Sequence, residues 1–257
     1  MTDAIARFSG FADLYERVRP KPPREIADLV RRWIDVPDPD VVDLGAGTGG
    51  ATLLWDRATA VEPSADMRAV AERRLDPERY RVVDGTAEAT TLPDGCADVV
   101  TASQALHWFD PAKAFSEIAR ILRPGGVFVA FDNDWPPSVD WECDAAWHEF
   151  DRTLAALADT RLSSPPKAPK HEHVDRLRAS GLFRHVTELA LHAEDFGDAA
   201  RFCDLALSQG GAMGARKAGY TDEQIGLVRL RDVAERRMPG TVPWWWTYRV
   251  RLGVTPR

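Results

Sequence analysis

Short apolar runs alternate with helical stretches along residues 38–131. This alternation is typical of βαβ units that wind a mostly parallel sheet. Each apolar run predicts a strand, and the five strands lie at residues 41–44, 59–62, 80–83, 97–102 and 126–131. Asp110 followed by Pro111 predicts the start of a helix between the last two, because aspartate suits an N-cap and proline suits the first helical turn.

The alternation ends at Asp134, where the segment Trp135-Pro136-Pro137 follows. Beyond it the pattern predicts helices at 141–157, 173–180, 199–208 and 222–237 and strands at 185–191 and 242–250. Three prolines between residues 163 and 170 predict a loop there, which could serve as a lid or as a simple connection. A helix at 23–34 is expected to cap the entrance of the sheet.

Composition and charge place the chain among ordinary globular proteins. Hydrophobic residues make up 44% of its 257 residues and charged residues 28%, which excludes a disordered or collagenous chain. The net charge of −7 supplies no overall positive field for nucleic acid or an anionic membrane. Three scattered cysteines and the absence of a long apolar run predict a cytoplasmic protein without a disulfide framework.

A glycine-rich turn follows the first predicted strand, in the segment Val41-Val42-Asp43-Leu44-Gly45-Ala46-Gly47-Thr48-Gly49-Gly50. Glycines at such a turn let the backbone approach a ligand closely. Glu62 ends the second strand about 20 residues after Asp43, where an acidic side chain meets the hydroxyls of a ribose. The pair predicts a cofactor that contains a nucleoside, although a glycine turn alone also joins strand to helix in many α/β proteins.

Two ligands compete for this turn. Gly45, Gly47 and Gly50 satisfy the dinucleotide pattern G-x-G-x-x-G, which would suit NAD and an oxidoreductase. Asp43 favours a different ligand, because a carboxylate is unfavourable beside a diphosphate and compatible with a sulfonium or an ammonium group. A non-catalytic binding module is a further alternative.

Four motifs, in order, resemble those of class I S-adenosylmethionine-dependent methyltransferases. They are the glycine turn at 41–49, Glu62-Pro63-Ser64-x-x-Met67, the segment 84–88 with Leu92-Pro93 and Asp98-Val99-Val100, and Leu122-Arg123-Pro124-Gly125-Gly126. The segment 103–110 and Tyr15-x-x-x-Arg19-Pro20 are similar to a subgroup that includes trans-aconitate methyltransferases and bacterial small-molecule methyltransferases.

The resemblance implies a Rossmann-like α/β fold with a seven-stranded, mostly parallel sheet whose last strand is antiparallel. It implies a single domain with a core of residues 1–134, 181–195 and 241–257 and an inserted helical substrate cap of residues 135–180 and 196–240. The last strand would insert near the centre of the sheet, so Trp244, Trp245 and Trp246 are expected to be buried on both faces.

The resemblance also implies which residues bind the S-adenosylmethionine cofactor. Gly45, Ala46 and Gly47 would contact the methionine and ribose, and Glu62 would accept hydrogen bonds from the ribose hydroxyls. The other residues expected at the cofactor are Tyr15, Arg19, Asp43, Pro63, Met67, Thr86, Ala87 and Gln104. Two features depart from the family: residues 50–58 leave room for only about two helical turns, and Thr86 stands where an acidic residue often contacts adenine.

The predicted reaction is methyl transfer to a small organic acceptor, with an oxygen atom of a carboxylate or hydroxyl group as the expected acceptor. His107, just after the fourth strand, is the candidate general base, and a packed structural histidine is the alternative. His171 and His173 lack a third ligand at suitable spacing, so no metal site is predicted. The expected assembly is a monomer or homodimer without nucleic acid or membrane partners.

Overall fold

The computed structural model describes residues 17–161 and 169–257. Its strands form one seven-stranded sheet in the order β3-β2-β1-β4-β5-β7-β6. The strands are β1 (Val41–Leu44), β2 (Ala58–Val61), β3 (Tyr80–Val83), β4 (Ala97–Ser103), β5 (Leu122–Asn133), β6 (His185–Gly197) and β7 (Val242–Val254). The first five strands pair in parallel, and β7 lies antiparallel between β5 and β6. The predicted Rossmann-like fold with an antiparallel last strand is therefore confirmed.

Seven short α-helices and one longer helix connect or flank these strands between residues 25 and 237 of the described chain. They are α1 (Glu25–Ile34), α2 (Ala65–Arg74), α3 (Pro111–Ile121), α4 (Trp141–Arg161), α5 (His173–Ala179), α6 (Ala199–Leu207), α7 (Gly210–Lys217) and α8 (Leu227–Arg237). No helix in this described portion is long and apolar enough to cross a membrane. Asp110 caps α3 as predicted, since its carboxylate accepts from the N–H groups of Ala112 and Lys113.

Strands β5, β6 and β7 are longer than predicted, and three helical segments also differ from the sequence prediction. Helix α7 was not predicted, because its glycine-rich start has weak helix propensity. Helix α8 begins at Leu227, since residues 222–226 form turns and Gly226 takes a left-handed conformation there. The segment after the glycine turn contains only a 3-10 helix, Thr52–Leu54, which is shorter than the two helical turns expected.

The two faces of the sheet are covered by different helices. On one face, Phe115 and Ile118 of α3 and Leu177 of α5 pack with Phe128 of β5. On the other face, α1 and the helices α4, α6, α7 and α8 bury a larger apolar cluster, to which β5 contributes alternate residues such as Val129. Helix α5 thus packs on the sheet face opposite α4 and α6.

The aromatic residues of β7 anchor the helices on that second face. Trp244 and Trp246 are fully buried, and their rings meet Phe202 of α6 and Trp135, with centroids 5.8 and 5.5 Å apart. Trp245 points the other way and is 54% exposed. The expectation that all three tryptophans are buried on both faces is therefore wrong. Strand β5 pairs with β7 only as far as Tyr248, and beyond that point the helices cover one face of the β6–β7 ribbon.

Asp43 is a buried carboxylate that joins three elements beneath the glycine turn. One of its oxygens accepts from the Thr101 hydroxyl of β4 and the other from the Thr52 hydroxyl of the 3-10 helix, both at 2.7 Å. Burial raises the pKa of Asp43 from 3.8 to about 6, although the two hydrogen bonds favour its charged form. Asp43 fixes the position at which β1 enters the turn.

Replacing Trp246 with alanine is expected to lower the free energy of unfolding by about 3–5 kcal/mol, because it opens a cavity between β7 and the helices. Trp245→Ala is the matched control, since it removes the same side chain one residue away on the exposed face, and it should cost less than about 1 kcal/mol. Urea unfolding followed by circular dichroism measures both. Equal losses for the two variants would contradict the assigned one-sided burial.

The raised pKa of Asp43 predicts a pH effect on stability. A folded-state pKa above the unfolded value means that the folded protein binds the proton more tightly. The contribution of Asp43 to stability therefore grows as the pH falls through about 6 toward 4. From pH 8 to pH 5 the wild-type protein should gain about 1 kcal/mol relative to Asp43→Asn. Unfolding at both pH values tests this, with Glu78→Gln, an exposed carboxylate, as control; a constant difference between wild type and Asp43→Asn would refute it.

Candidate functional site

A cavity opens at the carboxyl ends of β1, β2, β4 and β5, the edge at which open α/β sheets bind ligands. Ten of the residues predicted at the cofactor line this cavity: Arg19, Gly45, Ala46, Gly47, Glu62, Pro63, Met67, Thr86, Ala87 and Gln104. Asp43 and His107 do not line it. Tyr15 lies outside the described residues. The ten are far apart in the sequence, and the fold brings them together.

Backbone hydrogen bonds hold the glycine turn against the end of β2. The N–H groups of Gly45 and Ala46 both donate to the carbonyl of Val61, at 2.9 and 3.2 Å. Gly45 and Gly47 have φ angles of +64° and +59°, which strain any residue with a side chain. A Cβ on Gly45 would lie 2.8 Å from that of Ala105, whereas a Cβ on Gly47 would meet nothing within 4 Å. Gly45 serves close packing, and Gly47 leaves space open at the cavity wall.

The Glu62 carboxylate stands at the end of β2 and connects two backbone segments. One oxygen accepts from the N–H of Gly47 at 2.9 Å and the other from the N–H of Ser64 at 2.8 Å. The residue is only 7% exposed, and burial raises its pKa although both hydrogen bonds favour the charged form. A carboxylate oxygen can accept more than one hydrogen bond, so Glu62 can still receive hydroxyl groups from a ligand in the cavity.

The end of the cavity near β3 is an apolar and backbone surface. Met67 is buried on the first turns of α2, and Pro63 precedes it on the wall. Thr86 and Ala89 exchange two backbone hydrogen bonds of 3.2 Å, and Ala87 and Glu88 form the tip of that turn. A flat ring bound here would meet apolar side chains and the backbone of this turn.

The opposite end of the cavity, near β4 and β5, carries two amide side chains. Gln104 follows β4 with a left-handed φ of 52°, and its N–H donates to the carbonyl of Phe131 at 2.9 Å. Its side-chain nitrogen donates to the Asn133 side-chain oxygen, and its side-chain oxygen accepts from the Lys170 ammonium at 3.1 Å. Asn133 lines the cavity beside Gln104.

Sequence reasoning missed Asn133 and Lys170 for different reasons. Asn133 ends β5, so the rule that ligands meet the carboxyl ends of parallel strands could have found it. Lys170 carries no local signal, since it follows a proline-rich stretch far along the chain from Gln104. Only the fold brings the two side chains together.

Behind Gln104 lies a buried charge cluster centred on Asp132. Arg251 donates to one oxygen of Asp132, and the Lys170 ammonium stands 3.4 Å from the other. Burial alone raises the pKa of Asp132, but Lys170 and Arg251 outweigh burial and hold the pKa below its usual value. Burial lowers the pKa of Lys170, and Asp132 counteracts that effect. Asp132 therefore keeps its negatively charged form in the core, behind Gln104.

His107 belongs to this cluster rather than to the cavity wall. Its Nδ1 atom lies 3.8 Å from Asp132, its side chain is 10% exposed, and its ring packs beside Trp108 at a centroid distance of 5.2 Å. The ring does not line the cavity. The role of His107 as a base stays a prediction, and its position beside Asp132 is also compatible with the alternative of a packed structural histidine. Its neighbour Trp108 lines the cavity instead.

Arg19 connects the cavity to the helices on the second sheet face. Its guanidinium lies 4.5 Å from the ring centroid of Trp135, and it donates to the hydroxyl and the carbonyl of Ser208 at 3.1 and 3.0 Å. The contact of Arg19 with the cofactor that the resemblance implies would have to coexist with these contacts.

Three other residues considered in the sequence analysis, Asp43, His171 and His173, do not line the cavity. Asp43 is fully buried under the turn and does not line the cavity. His171 is exposed and His173 is 1% exposed, so their rings face different surroundings. Across residues 17–161 and 169–257, no three histidine, cysteine, aspartate or glutamate side chains are grouped as a metal would require.

The turn lacks the helix that a dinucleotide requires. In dinucleotide-binding folds the pyrophosphate rests on the N-terminus of the helix after the first strand. Here that place holds the three-residue 3-10 helix Thr52–Leu54, which is too short to present a comparable set of N–H groups. The pattern Gly45, Gly47 and Gly50 is therefore present without the structure that binds a diphosphate.

Comparison with known proteins shows similarity to methyltransferases. Residues 42–130 match the methyltransferase domain family. An uncharacterized methyltransferase of Mycobacterium tuberculosis is 41% identical over 128 residues, which are 48% of this chain and 51% of that protein. A malonyl-[acyl-carrier protein] O-methyltransferase of Pectobacterium atrosepticum is 36% identical over 165 residues, which are 61% of this chain and 63% of that protein.

The fold extends the similarity to nearly the whole chain. The solved structure of a putative type II methyltransferase from Anaeromyxobacter dehalogenans superposes with a TM-score of 0.68 at 26% identity, covering 93% of this chain and 99% of that one. In sequence, the chain spans about half the length of the first curated relatives that it matches. The sheet order, the glycine turn and these similarities agree, and the chain belongs to the class I S-adenosylmethionine-dependent methyltransferase superfamily.

Proposed function

We propose that this protein transfers a methyl group from S-adenosylmethionine to an oxygen atom of a small organic acceptor. The observation that carries the proposal is the Glu62 carboxylate, which is bonded to the N–H of Gly47 and faces the same cavity as the glycine turn. A carboxylate in that position suits the two hydroxyls of a ribose. S-adenosylmethionine is the cofactor of the superfamily, and its ribose is flanked by adenine and methionine.

The residues around the cavity fit this cofactor from end to end. Glu62 would accept the ribose hydroxyls, while Pro63 and Met67 would pack on the adenine and the turn at Thr86 and Ala87 would face its edge. The open side of Gly47 leaves room for the ligand to lie against the backbone. Gln104 and Arg19 would meet the methionine end. Asp43, buried below, would act through the shape of the turn and through its charge.

The cofactor supplies, when bound, a methyl group on a positively charged sulfur. The protein then has to hold the acceptor in line with that methyl group and keep water away. The cavity walls suit the second task, since Ala105, Trp108 and Phe109 contribute apolar surface beside the turn. The helices α4, α6, α7 and α8 would select the acceptor, as a cap over this end of the sheet.

An oxygen acceptor is supported by two observations. The relative from Pectobacterium atrosepticum is named as an O-methyltransferase. Among the described residues that line the cavity there is no histidine, and the carboxylates there are Glu62 and Glu88. A carboxylate acceptor is already nucleophilic at neutral pH and needs no general base, whereas a phenol or an amine would benefit from one. The acceptor group we propose is therefore the free carboxylate of a small organic molecule.

A cytoplasmic location, a monomeric or homodimeric state and the lack of nucleic-acid and membrane partners stay predictions. Residues 163–168 of the predicted loop at 163–170 lie outside the described residues, and the role of this loop as a lid also stays a prediction.

Calorimetric titration of the purified protein with S-adenosylmethionine, S-adenosylhomocysteine and NAD tests the proposed cofactor use. We expect saturable binding of the first two and none of NAD, because the helix that would hold a pyrophosphate is replaced by a single 3-10 turn. Binding of NAD alone would contradict the proposal in favour of oxidoreduction. Binding of none of the three would favour a non-catalytic role.

Replacing Glu62 with glutamine is expected to weaken S-adenosylhomocysteine binding by about 1.5–3 kcal/mol, or roughly 10- to 100-fold. Both carboxylate oxygens accept backbone N–H groups, so the amide nitrogen of glutamine would face a donor and displace the turn. Glu78→Gln, an exposed carboxylate away from the cavity, is the matched control for calorimetry. Unchanged affinity in Glu62→Gln would remove the ribose role.

A further inference from the structure

Three side chains form a directed chain of hydrogen bonds that ends at the cavity. The Lys170 ammonium donates to the side-chain oxygen of Gln104, and the side-chain nitrogen of Gln104 donates to the side-chain oxygen of Asn133. The Asn133 nitrogen in turn donates to the carbonyl of Asp134 at 3.3 Å. Each of these hydrogen bonds has one donor and one acceptor. The first donor, Lys170, therefore determines which end of each following amide donates and which accepts.

Lys170 sets that direction because an ammonium group can only donate. A side-chain amide can turn over and exchange its oxygen and nitrogen, and its hydrogen-bond partners decide which way it lies. With Lys170 in place, the oxygen of Gln104 must face the ammonium group and the nitrogen must face the cavity side. The nitrogen carries two N–H groups, and Asn133 accounts for one of them. A second N–H is therefore available to a ligand in the cavity that Gln104 lines.

The charge cluster behind Gln104 keeps Lys170 in this position. Its ammonium stands 3.4 Å from Asp132, whose other oxygen is bonded to Arg251. Arg251 and Asp132 are both about 2% exposed, and Arg251 also pairs with Glu188 at 2.8 Å. A buried carboxylate such as Asp132 is stable only with positively charged partners. Its attraction to the Lys170 ammonium group therefore holds that group at a well-defined position.

The ligand group that this N–H would meet follows from the order of the strands. Glu62, at the end of β2, takes the ribose, and the apolar surface near β3 takes the adenine. The methionine end of the cofactor therefore points toward β4 and β5, where Gln104 and Asn133 stand. The acceptor of an N–H donor at that end is the methionine carboxylate.

We propose that Lys170 is a positioning residue, which orients the Gln104 amide so that it donates an N–H to the methionine carboxylate of the bound cofactor. This inference rests on the proposed function and adds a residue from a distant part of the chain to the cofactor site. Lys170 itself acts through Gln104 and does not touch the ligand.

The test compares two ligands that differ only at the methionine end. S-adenosylhomocysteine has the carboxylate, whereas 5′-deoxy-5′-methylthioadenosine keeps adenine, ribose and sulfur and lacks the amino-acid group. Calorimetry of Lys170→Met should show about tenfold weaker binding of S-adenosylhomocysteine and unchanged binding of methylthioadenosine. A purely structural defect would weaken both ligands alike and would overturn the proposal.

Two further variants identify the route of the effect. Gln104→Leu should weaken S-adenosylhomocysteine by a similar factor, and Lys170→Met should add nothing in the Gln104→Leu background, because the two residues act in series. Additive losses would contradict action through Gln104. Lys170→Arg, which keeps a positive donor and spares Asp132 from losing its partner, should restore most of the affinity. If Lys170→Met fails to fold, Gln104→Leu is titrated with both ligands instead, and equal weakening of the two ligands would overturn the proposal.

Lys217→Met, on α7, is the control for loss of a lysine, and it should bind both ligands as the wild type does. Equal affinity of wild type and Lys170→Met for S-adenosylhomocysteine contradicts this inference alone. Failure of the wild-type protein to bind S-adenosylhomocysteine contradicts the proposed function and this inference with it. The two failures are therefore distinguishable.

Discussion

The hydrogen bond between the Glu62 carboxylate and the N–H of Gly47 is the interaction on which the site depends. It joins the end of β2 to the glycine turn after β1, and the Val61 carbonyl supports the same junction by accepting from Gly45 and Ala46. A buried carboxylate is costly unless it is hydrogen-bonded, so the turn and the carboxylate stabilise each other's position. This junction forms part of the cavity wall.

The remainder of the fold supports that junction from two directions. Below it, Asp43 ties β1 to β4 and to the 3-10 helix, so the turn starts from a fixed point. Beside it, the long β6–β7 ribbon buries Trp244 and Trp246 against the helices on the second face of the sheet. Arg19 bridges these helices and the cavity wall through Trp135 and Ser208. Arg19 thus links one wall of the cavity to the helices on the second face of the sheet.

The features that the sequence predicted correctly are those that depend on neighbouring residues. The strands of the parallel half, the Asp110 cap and the glycine turn depend on short runs of residues, and ten predicted cofactor residues line one cavity. The positions that the sequence could not predict depend on long-range packing. Whether Trp245 is covered depends on where β5 ends, and whether His107 faces the cavity depends on the Asp132 cluster. Lys170 reaches Gln104 only through the fold, so no spacing in the sequence could reveal it.

A crystal structure of the protein with S-adenosylhomocysteine tests the central claim most directly, since the claim concerns where each part of the cofactor lies. The account predicts the ribose hydroxyls at the Glu62 carboxylate, adenine beside Met67 and the turn at Thr86, and the amino-acid group at Gln104. A ligand bound in the reverse direction, or outside this cavity, would contradict it.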